Sequence, residues 1–246
     1  MNRYKITVAY DGTRYRGWQR QPDGESIQSM LENALAPLAD PAACTVYGAG
    51  RTDAGVHARG AVAHFDLERE IAPVNLRRAL NGALPPDIQI VSAEPAARDF
   101  DARRHAIGKE YRYFVTSGEI VFPDRCRYSA HVRKTLDTAA MKKAAAYFPG
   151  THDFAAFTAN PNREIESTVR TIFSVEIAGE LPEIQIRVKG DGFLYKMVRS
   201  ISGFLISVGE GKEKPEAVVE VMNSRVRTSR VETAPARGLF LWQVFY

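Results

Sequence analysis

One carboxylate stands inside a glycine-rich run of this chain, Gly48-Ala49-Gly50-Arg51-Thr52-Asp53-Ala54-Gly55-Val56-His57. Asp53 can attack an electrophilic carbon or take up a proton, and Arg51 is a cation two residues away that can hold an anion. Glycines at 48, 50, 55 and 60 permit positive φ and close backbone approach to a ligand, at an entropic cost. Other chemistries fit less well. Gly48-Ala49-Gly50 opens like the dinucleotide fingerprint G-x-G-x-x-G, but its sixth position is Asp53, which would repel phosphates. No G-x-x-x-x-G-K-[ST] phosphate loop and no G-x-S-x-G nucleophile motif occurs. His57, His64, Asp53 and Asp66 are close in sequence, but their spacing matches neither the zinc patterns nor a helical H-E-x-x-H, so no metal is expected. His64, between Ala63 and Phe65, reads as a satisfied strand histidine. Cys44 and Cys126 lack a catalytic context. Two readings of Asp53 remain: a nucleophile or base oriented by arginine, or a turn stabiliser bonded to its own backbone. The loop alone leaves both open.

The elements around the loop follow from periodicity. Tyr4–Tyr10 alternates, with Tyr4, Ile6, Val8 and Tyr10 on one face, and predicts a strand. Ser26 is the expected N-cap of a helix carrying Ile27, Met30, Leu31, Ala34 and Leu35, which Pro37 ends. Cys44–Tyr47 and Ala61–Leu67 read as strands. Pro73 begins a second helix that Gly82 is expected to cap, and Ile88–Val91 is a further strand. The order β-α-β-β-α-β is the ferredoxin-like unit. The second half repeats it: strand Glu110–Thr116, helix Thr135–Phe148, strands Val169–Ala178 and Glu183–Lys189, helix Phe193–Val208, a short helix after Pro215 and strand Leu239–Phe245. The fold expected is α+β, with two such halves, residues 1–100 and 101–246, and a groove between them. The joint falls near Glu94–His105. The Gly48–Gly60 loop joins the two middle strands of the first half and ends at a hairpin tip or groove wall.

The 246 residues are 45% hydrophobic and 25% charged, as in an ordinary globular enzyme. Two cysteines rule out a disulfide scaffold and suit a reducing compartment, and no apolar run is long enough for a membrane span. The N-terminal residues lead straight into a strand pattern, so the cytoplasm is the expected location. Net charge is a mild +4. Its distribution says more: residues 1–21 hold five basic side chains against one acid, and residues 98–134 hold nine against five. Tyr10, Tyr15, Trp18, Phe100, Tyr111, Tyr113 and Phe114 are interleaved with them. Basic groups track phosphates and aromatic rings stack on bases, so the mixture points to nucleic acid, although a solvated surface over a core would also contain it.

The loop with its continuation, Gly48 to Ala58, resembles the catalytic motif of the tRNA pseudouridine synthase A family. Other blocks agree in order: Tyr10-Asp11-Gly12-Thr13-Arg14-Tyr15-Arg16-Gly17-Trp18-Gln19-Arg20-Gln21-Pro22, Ser26-Ile27-Gln28 with Leu31-Glu32, Tyr111-Arg112-Tyr113, Gly150-Thr151-His152-Asp153-Phe154, Met197-Val198-Arg199, and Ala234-Pro235-Ala236-Arg237-Gly238-Leu239. The similarity spans essentially the whole chain. Two positions depart from the family pattern. Phe100-Asp101-Ala102-Arg103 has Asp101 where the family often has histidine, and Lys109 stands where arginine is frequent.

The resemblance implies an isomerase that converts uridine to pseudouridine at positions 38–40 of the tRNA anticodon stem-loop. It implies two similar α+β halves whose antiparallel sheets flank a basic central cleft, a homodimer gripping one tRNA, and no cofactor, since the reaction conserves its atoms. The target base must be flipped out, at a cost of a few kcal/mol. Asp53 is then the essential aspartate, whether it attacks the sugar or acts as a base, and it must be ionised. Arg199 is the expected partner that favours the ionised form: it lies off the apolar stripe of its helix, with Gly203 one turn on permitting close approach. Tyr111 is expected to stack on the flipped uracil, and Arg51 to meet the nucleotide's phosphate or the vacated stack. Arg14, Arg16, Arg20, Arg103 and Arg104 are weaker candidates for phosphate contacts. Two other function classes use the same surface: a non-catalytic tRNA-binding protein, and a nucleoside hydrolase, which usually needs two carboxylates.

Overall fold

The computed structural model describes residues 1–39, 44–159 and 166–246. They form two compact units: Met1–Ile107 with Phe240–Tyr246, and Gly108–Leu239. No helix among the described residues is long and apolar enough to cross a membrane.

The first unit contains β1 (Asn2–Tyr10), α1 (Ile27–Leu35), β2 (Tyr47–Gly48), β3 (His57–Leu67), α2 (Pro73–Ala83) and β4 (Ile88–Pro95). Its strands run in the order β4-β1-β3, antiparallel, and β2 pairs with the far end of β3. The expected alternation of β1 holds. Tyr4, Ile6, Val8 and Tyr10 are buried, and the Tyr4 hydroxyl bonds the backbone of Ile71 just before α2. β3 is buried on both faces. Its second face is covered by the 100–102 turn and by Tyr246, whose hydroxyl donates to the Ala102 carbonyl at 2.8 Å.

Ser26 caps α1 as expected, its hydroxyl accepting from the Ser29 amide at 3.1 Å. A 3₁₀ turn, Ala36–Leu38, carries Pro37. Two expectations fail nearby. Cys44–Val46 is not a strand; Val46 gives its amide to the Glu32 carboxylate and its carbonyl to Gln28, so α1 side chains take the place of a neighbouring strand. Gly82 is not a cap. It lies within α2, which runs on to Ala83 and stops at an extended Leu84 before Pro85. A Cβ at Gly82 would meet nothing within 4 Å. Gly82→Ala is therefore expected to stabilise the protein by about 0.5–1 kcal/mol, read as a raised urea midpoint at unchanged slope.

The second unit contains β5 (Gly108–Ser117), β6 (Ala130–Val132), α3 (Thr138–Ala145), β7 (Gly150–Asp153), β8 (Val169–Glu180), β9 (Glu183–Gly190), α4 (Met197–Gly209) and α5 (Ala217–Ser224). The strand order is β5-β9-β8-β7, antiparallel, with short β6 parallel to β5. Tyr111, Tyr113 and Val115 face one side of β5, opposite Val188, Ile186 and Ile184 of β9. α3 and α4 both start later than periodicity predicts. The Leu136 amide is drawn to the Ser117 hydroxyl, and Asp137 caps α3 through the Ala140 amide at 2.9 Å. Lys196 adopts φ 58°, so α4 begins at Met197 and Leu194 belongs to the turn before it. The last strand, β10 (Leu239–Phe245), lies parallel to the start of β3, with Phe240 opposite His57, and groups from Phe240 onward with the first unit.

Candidate active site

Asp53 sits between β2 and β3 in a loop held from below by the Tyr10–Trp18 segment. Trp18 donates its amide to the Thr52 carbonyl at 3.1 Å, and the Gly55 amide reaches the Tyr15 carbonyl at 3.4 Å. The hydroxyls of Tyr10 and Thr52 share a buried hydrogen bond of 2.9 Å. Gly17 has φ +87°, and a Cβ there would press on Thr52 and lie 3.0 Å from the Asp53 carbonyl carbon. Behind the loop, the Trp18 indole lies where a Cβ of Gly48 would stand. That glycine serves close packing against protein, not the ligand approach expected from its type. Asp53 itself is half-exposed, Thr52 and Val56 on either side are buried, and its carbonyl accepts the Val56 amide at 3.2 Å. The backbone is therefore fixed by buried contacts, while the residue as a whole is only partly buried.

His57 closes the loop. It is fully buried, its ring stacks on Phe240 at 4.5 Å, and Nδ1 lies 3.1 Å from both the Gly12 amide and the Asp11 carboxylate. An unprotonated Nδ1 serves the first contact and a protonated one the second, so one ring cannot satisfy both at once. His64 is the satisfied histidine expected: Nδ1 accepts from the Ala102 amide at 3.1 Å, and burial holds its pKa below the usual value, keeping it neutral. Among the described residues, no three His, Cys, Asp or Glu side chains are grouped to hold a metal ion.

The arginines of the first unit differ in setting. Arg51 is exposed on the loop. Arg14 pairs with Asp87 at 2.8 Å and Arg20 with Glu32 at 3.2 Å, both on the surface, where such pairs are weak and phosphate can compete. Arg16 packs its stem where a Cβ of Gly24 would lie, with its side chain otherwise exposed. Arg103 and Arg104 are exposed, on a turn whose amides both bond Asp101, at 2.8 and 2.9 Å. This explains the departure at 101. An aspartate caps that turn, and the Arg104 and Arg103 amides hold its carboxyl below the usual range.

In the second unit, Tyr111 lies edge-on to Phe193 at 5.1 Å and is 8% exposed, so little of its ring is available. Tyr113 is wholly buried, donates to the Pro235 carbonyl at 2.9 Å, and has its phenol pKa pushed up by burial. Arg199 on α4 is half-exposed. Its Nε donates to the Ala234 carbonyl at 2.8 Å, and its own carbonyl accepts the Ala234 amide at 3.1 Å. Gly203 does permit a close approach, that of Glu232: a Cβ would collide with its carbonyl oxygen. The Ala234–Gly238 block thus organises both Arg199 and Tyr113.

The cradle of Tyr10, Gly17 and Trp18 is not apparent from residue types alone, which draw attention to the arginines of the same segment. The available signal is a pair of glycines among large aromatic residues, a composition that suits tight packing as well as RNA.

A family model described as tRNA pseudouridine synthase matches residues 6–103 and 144–246, a span that includes the loop, its cradle and Arg199. The chain belongs to that family. Relatives at full length include "tRNA pseudouridine synthase A 1" of Protochlamydia amoebophila, 42% identical over 100% of this chain and 97% of its own. "tRNA pseudouridine synthase A" of Exiguobacterium sibiricum is 42% identical with the same coverage. "tRNA pseudouridine synthase A 2" of Clostridium perfringens is 44% identical over the whole of both chains. Family membership accounts for the order of the motif blocks along this chain, from the Tyr10 segment to the Ala234–Gly238 approach.

Proposed function

We propose that this protein isomerises uridine to pseudouridine at positions 38–40 of the tRNA anticodon stem-loop, with Asp53 as the essential group. The observation that carries the reading is the full-length similarity to relatives named tRNA pseudouridine synthase A. The reaction breaks C1′–N1 and forms C1′–C5; the proton on C5 leaves, and N1 gains one. Asp53 is suited to it because its backbone is immobilised and the residue is only partly buried. Flipping brings the uridine to that carboxylate. Tyr111, Arg51 and Arg199 bind the flipped nucleotide, and Arg14, Arg16, Arg20, Arg103 and Arg104 contact tRNA phosphates. The protein acts in the cytoplasm as a homodimer on one tRNA. We infer further that both units are ferredoxin-like halves: the order β4-β1-β3-β2 in the first and β5-β9-β8 in the second supports this.

The test is a tRNA transcript carrying tritium at C5 of its uridines. Tritium is expected in the solvent in equal amount to pseudouridine found in digests, with no free uracil. Free uracil would indicate a nucleoside hydrolase, and binding without tritium release a non-catalytic tRNA-binding protein.

A further inference from the structure

Tyr47 is an aromatic side chain that the reaction above does not use. It lies on β2, paired directly opposite His64 of β3, and its ring stacks on the imidazole at 5.1 Å and 20°. The two rings differ sharply in environment: His64 is 4% exposed and Tyr47 is 55% exposed. His64 is fixed by the Ala102 amide and by the edge of Phe100 at 6.0 Å. One face of Tyr47 is therefore packed on an anchored ring, and its exposure belongs to the opposite face and edge. Such a ring has lost its rotamer freedom in advance and can accept a second flat group at low entropic cost.

The surroundings suit a polyanion. Asp66, two residues along β3, is neutralised by two hydrogen bonds from Arg3, at 2.8 and 2.7 Å. The turn that supports His64 through Ala102 continues directly into Arg103 and Arg104, both exposed. The Asp101 carboxylate is occupied with the amides of that turn. An open aromatic face with two exposed arginines on the turn that supports its stacking partner is the composition of a single-strand nucleic-acid contact.

This platform is separate from the Asp53 carboxylate. Tyr47 rests on His64 of β3, whereas the loop around Asp53 is held by Tyr10, Tyr15 and Trp18. We propose that Tyr47 is a stacking platform for a second, unpaired tRNA base, with Arg103 and Arg104 taking the adjoining phosphates. The proposal rests on tRNA being the substrate.

The experiment measures equilibrium binding of tRNA carrying a fluorophore at its 3′ end by fluorescence anisotropy, together with kcat at saturating tRNA. Tyr47→Ala is expected to raise Kd about tenfold with kcat unchanged, since stacking on an aromatic ring contributes about 1–3 kcal/mol per base. Tyr47→Phe keeps the ring and should stay within about twofold of the parent. A blunt two-strand RNA duplex, which has no unpaired bases, should bind the parent and Tyr47→Ala alike. Unchanged Kd in Tyr47→Ala, equal losses in Ala and Phe variants, or a fall in kcat alone would each overturn the platform. So would unchanged Kd with a changed sedimentation mass, which would assign Tyr47 to a protein contact. Binding is read independently of turnover. A parent that binds tRNA with the tenfold Tyr47→Ala effect but makes no pseudouridine sinks the proposed activity and leaves the platform standing.

Discussion

Asp53→Asn is expected to lower single-turnover pseudouridine formation by at least about 10⁴-fold while tRNA affinity stays within about threefold. The substitution replaces one oxygen by nitrogen and keeps the side chain's size, so the loop has no steric reason to move. The contacts that hold it include the Thr52 carbonyl to Trp18, the Thr52 hydroxyl to Tyr10, and the Gly55 amide to Tyr15. What is lost is a negative charge able to form a bond or take a proton, which an amide does not supply. The measurement is tritium release from C5-labelled tRNA at enzyme excess, paired with an anisotropy titration on the same preparation. Activity within tenfold of the parent would remove Asp53 from the chemistry and return it to the turn-stabilising reading. A parallel collapse of affinity would mean that Asp53 organises the loop instead.

Gly17→Ala is expected to cost about 2–4 kcal/mol of stability and to lower kcat at least about 10²-fold, although residue 17 carries no reactive group. Two costs combine. The backbone there has φ +87°, which an L-residue adopts at about 1–2 kcal/mol. The new methyl would press on the Thr52 carbonyl oxygen and lie 3.0 Å from the Asp53 carbonyl carbon and 3.1 Å from the Ala54 nitrogen. Overpacking of that kind costs about 1–3 kcal/mol, and a displacement near 1 Å at a reacting group can cost about 10²-fold in rate. Gly211→Ala separates the two. Gly211 also has positive φ, +74°, but open space around its Cβ, so it should lose only the backbone share and keep full activity. Urea unfolding and kcat on both variants check this. If Gly17→Ala matched Gly211→Ala in both readings, the Tyr10–Trp18 segment would not be the support of the loop.

Much of the local structure was legible because it depends on near neighbours. The alternation of Tyr4, Ile6, Val8 and Tyr10 and the Ser26 cap are written in residue spacing, and both hold. Errors arose where a distant group won. Val46 looked like strand because its neighbours are β-formers, but Glu32 and Gln28 of α1 claimed its amide and carbonyl. The glycine at 82 looked like a cap because glycine so often ends helices, yet Pro85 sets the stop. Gly48 looked like a ligand-approach position, yet its missing side chain makes room for Trp18, thirty residues upstream.

By itself the sequence determined the chemistry-bearing loop, the alternating and helical segments around it, and, through the order of its motifs, the family. Residue type and spacing are properties of the chain, and a carboxylate among glycines is present however the chain folds. Only the tertiary structure decided what holds that loop still. Tyr10, Tyr15, Gly17 and Trp18 reach Thr52, Asp53 and Gly55 through contacts spanning some forty residues, and nothing in the spacing of either segment specifies that they meet. Tyr47 is the same lesson on a second face. Its type says only that it is aromatic; pairing with His64 across the β2–β3 ladder covers one side of the ring and leaves the other to solvent. Long-range pairing sets which face of a residue is used, and that information lies in the fold.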